Sequence, residues 1–165
     1  MVEIILMAQS IGPGLRQHWR RCAALPGGKW LFSRLVGLRA PYSATLGAQV
    51  EKLEPGRCVV ILRERRRVRN HLGSVHAMAL ANLGELATGL ALMNSLPEQA
   101  RGILTSFSID YLRKARGRLT AECCCEIPSN NLEHDYLLTG EILNEDGDVV
   151  AIALARWQVG PEPAV

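Results

Sequence analysis

Three residues near the middle of the chain carry groups that move protons or orient water: Asn70, His76 and Glu85, within the stretch NHLGSVHAMALANLGE. Amide, imidazole and carboxylate are the side chains of acid–base chemistry. Setting is what singles out Glu85. The run from Ser74 to Leu96 contains no Lys, Arg or Asp, and Glu85 is its one acidic residue. Such a run reads as a buried helix, where a carboxylate is costly unless something uses it or pairs with it. Helix geometry then limits how the three can cooperate. Nine residues separate His76 from Glu85, which at about 100° and 1.5 Å per residue sets them on opposite faces, roughly 13 Å apart along the axis. One chain does not bring both to one reacting bond, so a site built from them needs a second subunit.

The rest of the chain bounds what such a site serves. At 165 residues and 48% hydrophobic composition, the chain can bury a full core and reads as one domain over 1–165, with a helical extension at 1–40 and a core at 41–160. A net charge of only +3 and an aromatic content of 5% argue against nucleic acid as a partner. The five cysteines, Cys22, Cys58 and the consecutive Cys123, Cys124 and Cys125, contain no CxxC. They read as reduced core or interface residues, and neither a metal nor a cofactor is expected. The start, MVEIILMAQSIGPG, has Glu3 where a signal peptide carries positive charge, which points to the cytoplasm. The run from Ser74 to Leu96 is about as long as a membrane span. Asn82, Glu85, Thr88 and Asn94 interrupt it, so no membrane partner is expected.

The elements that must position these residues follow from periodicity. Leu15, Trp19, Cys22, Leu31, Leu35 and Leu38 recur at helical spacing around a break at Pro26-Gly27-Gly28, giving two short helices that end at Pro41. From Ala44 the pattern turns to strand, with a turn at Glu54-Pro55-Gly56 and then CVVILRERRRVR. In that second run, alternation puts Arg63, Arg65, Arg67 and Arg69 on one strand face and Glu64 and Arg66 on the other. The central helix, about 74–95, closes before Pro97, and four strands follow. The last two are joined by a hairpin turn at Asn144–Asp148. A helix apolar on nearly all sides must be wrapped, and a single curved antiparallel sheet of five or six strands does this most economically.

That layout, an α+β hotdog fold, is also what the motif residues suggest. Asn70, His76 and Glu85 fall at the spacings of an Asn, a His-Gly-Gly six residues on and an Asp nine residues after the His. In this the chain resembles the acyl-CoA thioesterases of the phenylacetate-pathway type. RNHLGSVHAMALANLGELATGLAL, and YLRKARG with Tyr111, are more similar still to a less characterised thioesterase-like branch of that superfamily. The resemblance covers roughly residues 41–160. Two departures stand out: the His-Gly-Gly is His76-Ala77-Met78, and the Asp is Glu85.

The resemblance implies hydrolysis of an acyl-CoA or acyl-carrier thioester by a homodimer or a dimer of dimers. The Ala77 N–H would serve the oxyanion, Glu85 of the other subunit would act as base or nucleophile, and Asn70 would orient water or carbonyl. Gly73, Met78 and Asn82 would border the substrate, with Met78 narrowing the acyl pocket. Arg113, Lys114 and Arg116 would meet the phosphates. On the following strand, the register set by Tyr111 puts Leu104, with Thr105 alongside, where some relatives carry an assisting hydroxyl. Each residue also has a structural reading: Glu85 as an interface hydrogen-bonding group, His76 as a brace for the loop before the helix, Asn70 as a turn or cap. The alternative function is a hotdog module that binds acyl thioesters, or only assembles, without turnover.

Overall fold

The structure, a computed structural model, describes residues 11–162. The reading of the N-terminal segment as lacking a signal peptide lies outside those residues. Helices α1 (Ile11–Ala23), α2 (Gly28–Arg39) and the single turn α3 (Pro41–Ala44) lead into strands β1 (Gln49–Glu54) and β2 (Arg57–Arg63). A short 3-10 helix, Arg66–Val68, precedes the central helix α4 (Ala77–Met93). Strands β3 (Ala100–Tyr111), β4 (Arg118–Cys124), β5 (His134–Leu143) and β6 (Val149–Pro161) complete the chain. They form one antiparallel sheet in the order β1-β2-β4-β5-β6-β3. α4 packs against its strands. This is the hotdog fold.

Close contact between helix and sheet depends on small residues. A Cβ on Gly84 would lie 2.6 Å from the Ala153 Cβ, and one on Gly140 would lie 3.1 Å from the Thr88 methyl group. Around this contact Leu80, Leu83, Ala87, Ala91 and Leu92 of α4 are buried with Leu119, Ala121, Ile142 and Val150 of the sheet. Burial of this kind is worth about 25 cal/mol per Å² of apolar surface. Among the described residues no helix is long and apolar enough to cross a membrane.

The sheet has two unlike edges. Along β1, α2 lies close enough for the Val50 N–H to donate to Ser33 Oγ at 2.9 Å, while Lys29 pairs with Glu51. Phe32, 1% exposed, anchors this cover and meets Trp19 of α1 edge-on. Arg16 of α1 donates to the Asn94 and Leu96 carbonyls at the end of α4, groups a helix otherwise leaves orphaned. At the other end of the sheet, β3 pairs with β6 alone. Twelve residues of edge are left open.

Three expectations are corrected. Pro41 does not simply stop the helices but opens a further turn, as its fixed φ permits at a first helical position. The strand expected from Ala44 begins only at Gln49. The arginine ladder is the third. β2 ends at Arg63, and the next residues wind into the 3-10 helix that buries Val68. Glu64 ends the strand by accepting from the Gly117 N–H at 2.6 Å and from Arg69 Nε. Those two bonds hold its carboxyl below the usual range, the backbone bond contributing most.

The cysteines are all free thiols. Cys58 and Cys123 face each other across β2 and β4 inside the core, and Cys124 points outward. Burial pushes the Cys123 thiol up to about 12, which makes it a poor nucleophile at neutral pH.

Candidate active site

The start of α4 is held from both sides. The His76 N–H donates to the Val68 carbonyl at 2.8 Å and the Val75 N–H to the Ala115 carbonyl at 2.8 Å. His76 is the N-cap: its Nδ1 accepts from the Met78 N–H at 3.1 Å, and its carbonyl accepts from Ala79 and Leu80. Imidazole can cap in this way only with Nδ1 unprotonated. His76 is therefore a positioning residue for the helix start. The Ala77 N–H has no acceptor among the described residues. It points its share of the helix dipole outward.

Asn70 works locally. Its Oδ1 accepts from the Leu72 N–H at 2.9 Å and the Ser74 N–H at 3.2 Å, and its Nδ2 lies 3.1 Å from Ser74 Oγ. These bonds close the turn through Gly73, whose φ of +67° suits glycine. The Gly73 carbonyl accepts from Arg116 Nε at 3.0 Å, so this arginine braces the loop. Arg113 lies 3.5 Å from Asp148, and Lys114 is exposed.

Two grooves flank the helix start. The first, about 350 Å³, brings Asn70 and Ala77 together with Arg113 and Lys114, and Tyr111 crosses it to donate to the Ala77 carbonyl at 3.1 Å. The second, about 450 Å³, takes His76, Met78 and Asn82 with Tyr42, Arg67 and Arg69. The residues expected to act together are thus divided. Met78, 58% exposed, lies on the far side of the helix start from Ala77's groove and does not fill it.

Glu85 lines neither groove. It is half-buried two turns along α4, on the helix stripe shared with Met78, Asn82 and Gly89. Neither its carboxyl nor the Asn82 amide has a hydrogen-bonding or charged partner among the described residues. Burial alone raises the Glu85 pKa. The half-buried setting takes hydration away from the charged form.

On β3, Leu104 packs inward. Thr105 occupies a bulge and donates its hydroxyl to the Arg156 carbonyl at 3.1 Å. That hydroxyl is spent on the strand. Sequence reasoning did not find three participants. Tyr111 was noted only as a family marker, Glu64 was read as a strand residue, and Trp157 was not considered. Trp157 had one signal: the alternation of β6 turns it inward.

Known structures share this architecture. A structural-genomics protein is 29% identical, with 89% of this chain and 98% of that one covered and a TM-score of 0.76. A Pseudomonas aeruginosa protein described as a probable thioesterase is 24% identical, over 84% of this chain and 97% of its own, with a TM-score of 0.72. A mutant of the phenylacetic acid degradation protein of Thermus thermophilus is 25% identical, over 72% and 97%, with a TM-score of 0.61. No curated protein matches the sequence. Residues 28–159, which span α2, the helix that carries Glu85 and all of the sheet but the last two residues of β6, match the family described as a domain of unknown function, DUF4442, and the chain belongs to that family.

Proposed function

We propose that this protein is a thioester hydrolase acting on an acyl-CoA or acyl-carrier thioester at a site shared by two copies of the chain. The observation that carries the reading is Glu85: a half-buried carboxyl with no partner among the described residues, on a helix that also ends in an unclaimed N–H at Ala77. The Pseudomonas aeruginosa neighbour described as a probable thioesterase supports it. Within one protomer the two groups lie about 12 Å apart along the axis of α4. Against a second protomer, Ala77 of one faces Glu85 of the other across the two-fold axis.

In the reaction, the Ala77 N–H and the helix dipole draw charge onto the thioester oxygen. Glu85 takes a proton from water as the water oxygen bonds to the carbonyl carbon; collapse breaks the C–S bond, and the proton passes to the departing thiolate. Direct attack by Glu85 is the other route, with water releasing the acyl group in a second step. Lys114 and Arg113 border the Ala77 groove and meet the phosphates of the carrier. His76 and Asn70 hold the helix start in place.

A second reading, binding without turnover, is favoured by one observation: Asn70 spends its carbonyl oxygen on Leu72 and Ser74 and has none left to orient water. Thiol release from acyl-CoAs of varied chain length separates the two. Hydrolysis by the wild type that falls by about 10²-fold or more in both Glu85→Ala and Glu85→Gln supports the enzyme. Saturable binding with no release supports the module. Full activity in both variants rejects Glu85 as the catalytic group.

A further inference from the structure

Trp157 lies against the helix at the point where Glu85 must be aimed. In β6 the odd-numbered residues from Ala151 to Val159 face the core, and register puts Trp157 between Leu104 of β3 and Tyr136 of β5. A Cβ on Gly89, one turn after Glu85, would lie 3.1 Å from both Cζ2 and Cη2 of the indole and 3.7 Å from Glu85 Oε1. Ring edge and carboxyl oxygen thus meet over the same notch. The notch exists because residue 89 has no side chain.

The indole itself is poorly explained as core filling. Trp157 is 6% exposed, and its Nε1 is buried with no hydrogen-bond partner among the described residues. A buried N–H left unpaired opposes folding, and Phe or Leu would fill the space without one. Nε1 and Cζ2 flank Cε2 on the same side of the ring system, so the unpaired N–H lies beside the edge that meets the helix.

Among the described residues, burial is the cause acting on the Glu85 carboxyl. The inward side chains flanking Trp157 on β3 and β6 include Leu104, Phe107, Ile109, Ala151, Ala153, Ala155 and Val159, none of them ionisable, and Tyr136 of β5, the register neighbour of Trp157, exerts no charge effect on Glu85. Tyr111 is engaged with the Ala77 carbonyl, and Arg16 with carbonyls beyond the end of α4. We propose that Trp157 is the positioning residue for Glu85: its indole, seated edge-on at Gly89, dries one side of the carboxyl and turns it toward the open side of α4. This rests on the reading of Glu85 as the reacting group, and it names the residue that sets how that group works.

The test is a carboxyl ¹³C NMR titration of Glu85 in the full chain, wild type beside Trp157→Leu and Gly89→Ala. The alanine methyl forces the indole off the helix while adding a single carbon. Both variants are expected to move the Glu85 midpoint downward, toward an ordinary glutamate, and to shift the inflection of kcat/KM against pH the same way, with KM little changed. If Trp157→Leu does not fold, Gly89→Ala decides alone. A Glu85 midpoint in folded Gly89→Ala equal to that of the wild type overturns the proposal. Activity that survives in Glu85→Gln rejects Glu85 as the reacting group instead, and the titration still judges Trp157 independently.

Discussion

The two edges of the sheet have been treated in opposite ways. At β1 an open ladder is closed from within the chain: Ser33 takes a strand N–H, Lys29 pairs with Glu51, and Phe32 seals the contact. At β3 a strand of twelve residues pairs with β6 and, among the described residues, with no strand beyond. Long open edges invite strand pairing, and chains that do not use them cover or blunt them. This chain does so at one edge and leaves the other open. On the proposed reading of a shared site, the contrast marks the β3 edge as the place where a second copy would add its strand.

Attacking the covered edge should cost the most. Phe32→Ala removes a ring that is 1% exposed, and a loss of about 3–5 kcal/mol is expected in denaturant unfolding. Oligomeric state should not change among the molecules that remain folded. A loss under about 1 kcal/mol would mean that α2 is an ornament on the edge rather than its cover.

The open edge should answer in the reverse sense. Ile103 on β3 is 46% exposed. Ile103→Lys is expected to weaken self-association by about tenfold or more, read by sedimentation, and to change protomer stability by only about 0.5 kcal/mol. Association unchanged by the lysine would place the contact elsewhere.

The smallest effect concerns charge. Burial raises the Glu85 pKa, so the folded state holds a proton that the unfolded state has already released. Its stability therefore falls as pH rises from the ordinary glutamate range through the raised value. In the dissociated Ile103→Lys background, Glu85→Gln should stabilise the protein at neutral pH, and that gain should vanish as pH drops below the ordinary range. A gain that persists unchanged into acid would show that the carboxyl was not the cause.

Much of this fold could be read from periodicity. The long apolar run could only be a wrapped helix, and the turns at Glu54–Gly56 and Asn144–Asp148 mark the hairpins where they occur. The RERRRVR stretch misled because charges at alternate positions imitate a strand. What ends the strand is Glu64 bonding to Gly117, a contact between distant segments that local alternation does not encode. Glu85 stood out because it was the one acid in its run. The division of the other candidates between two grooves was illegible, since it depends on how residues 42–46 fold against Arg67 and Arg69. Trp157 was illegible for the same reason: only the folded sheet carries it to Gly89.

One consequence of the small-residue contact remains. Gly84 rests on Ala153, and Gly140 on Thr88, so α4 is keyed into the sheet and has no freedom to roll. A helix that cannot roll gives every residue on it a fixed compass bearing. The acid at position 85 can exchange one methylene of reach, Asp for Glu, without losing its direction. A methyl group at position 84, one residue before the acid, would swing that direction for the whole helix. The bearing of the acid is underwritten by neighbours that carry almost no side chain at all.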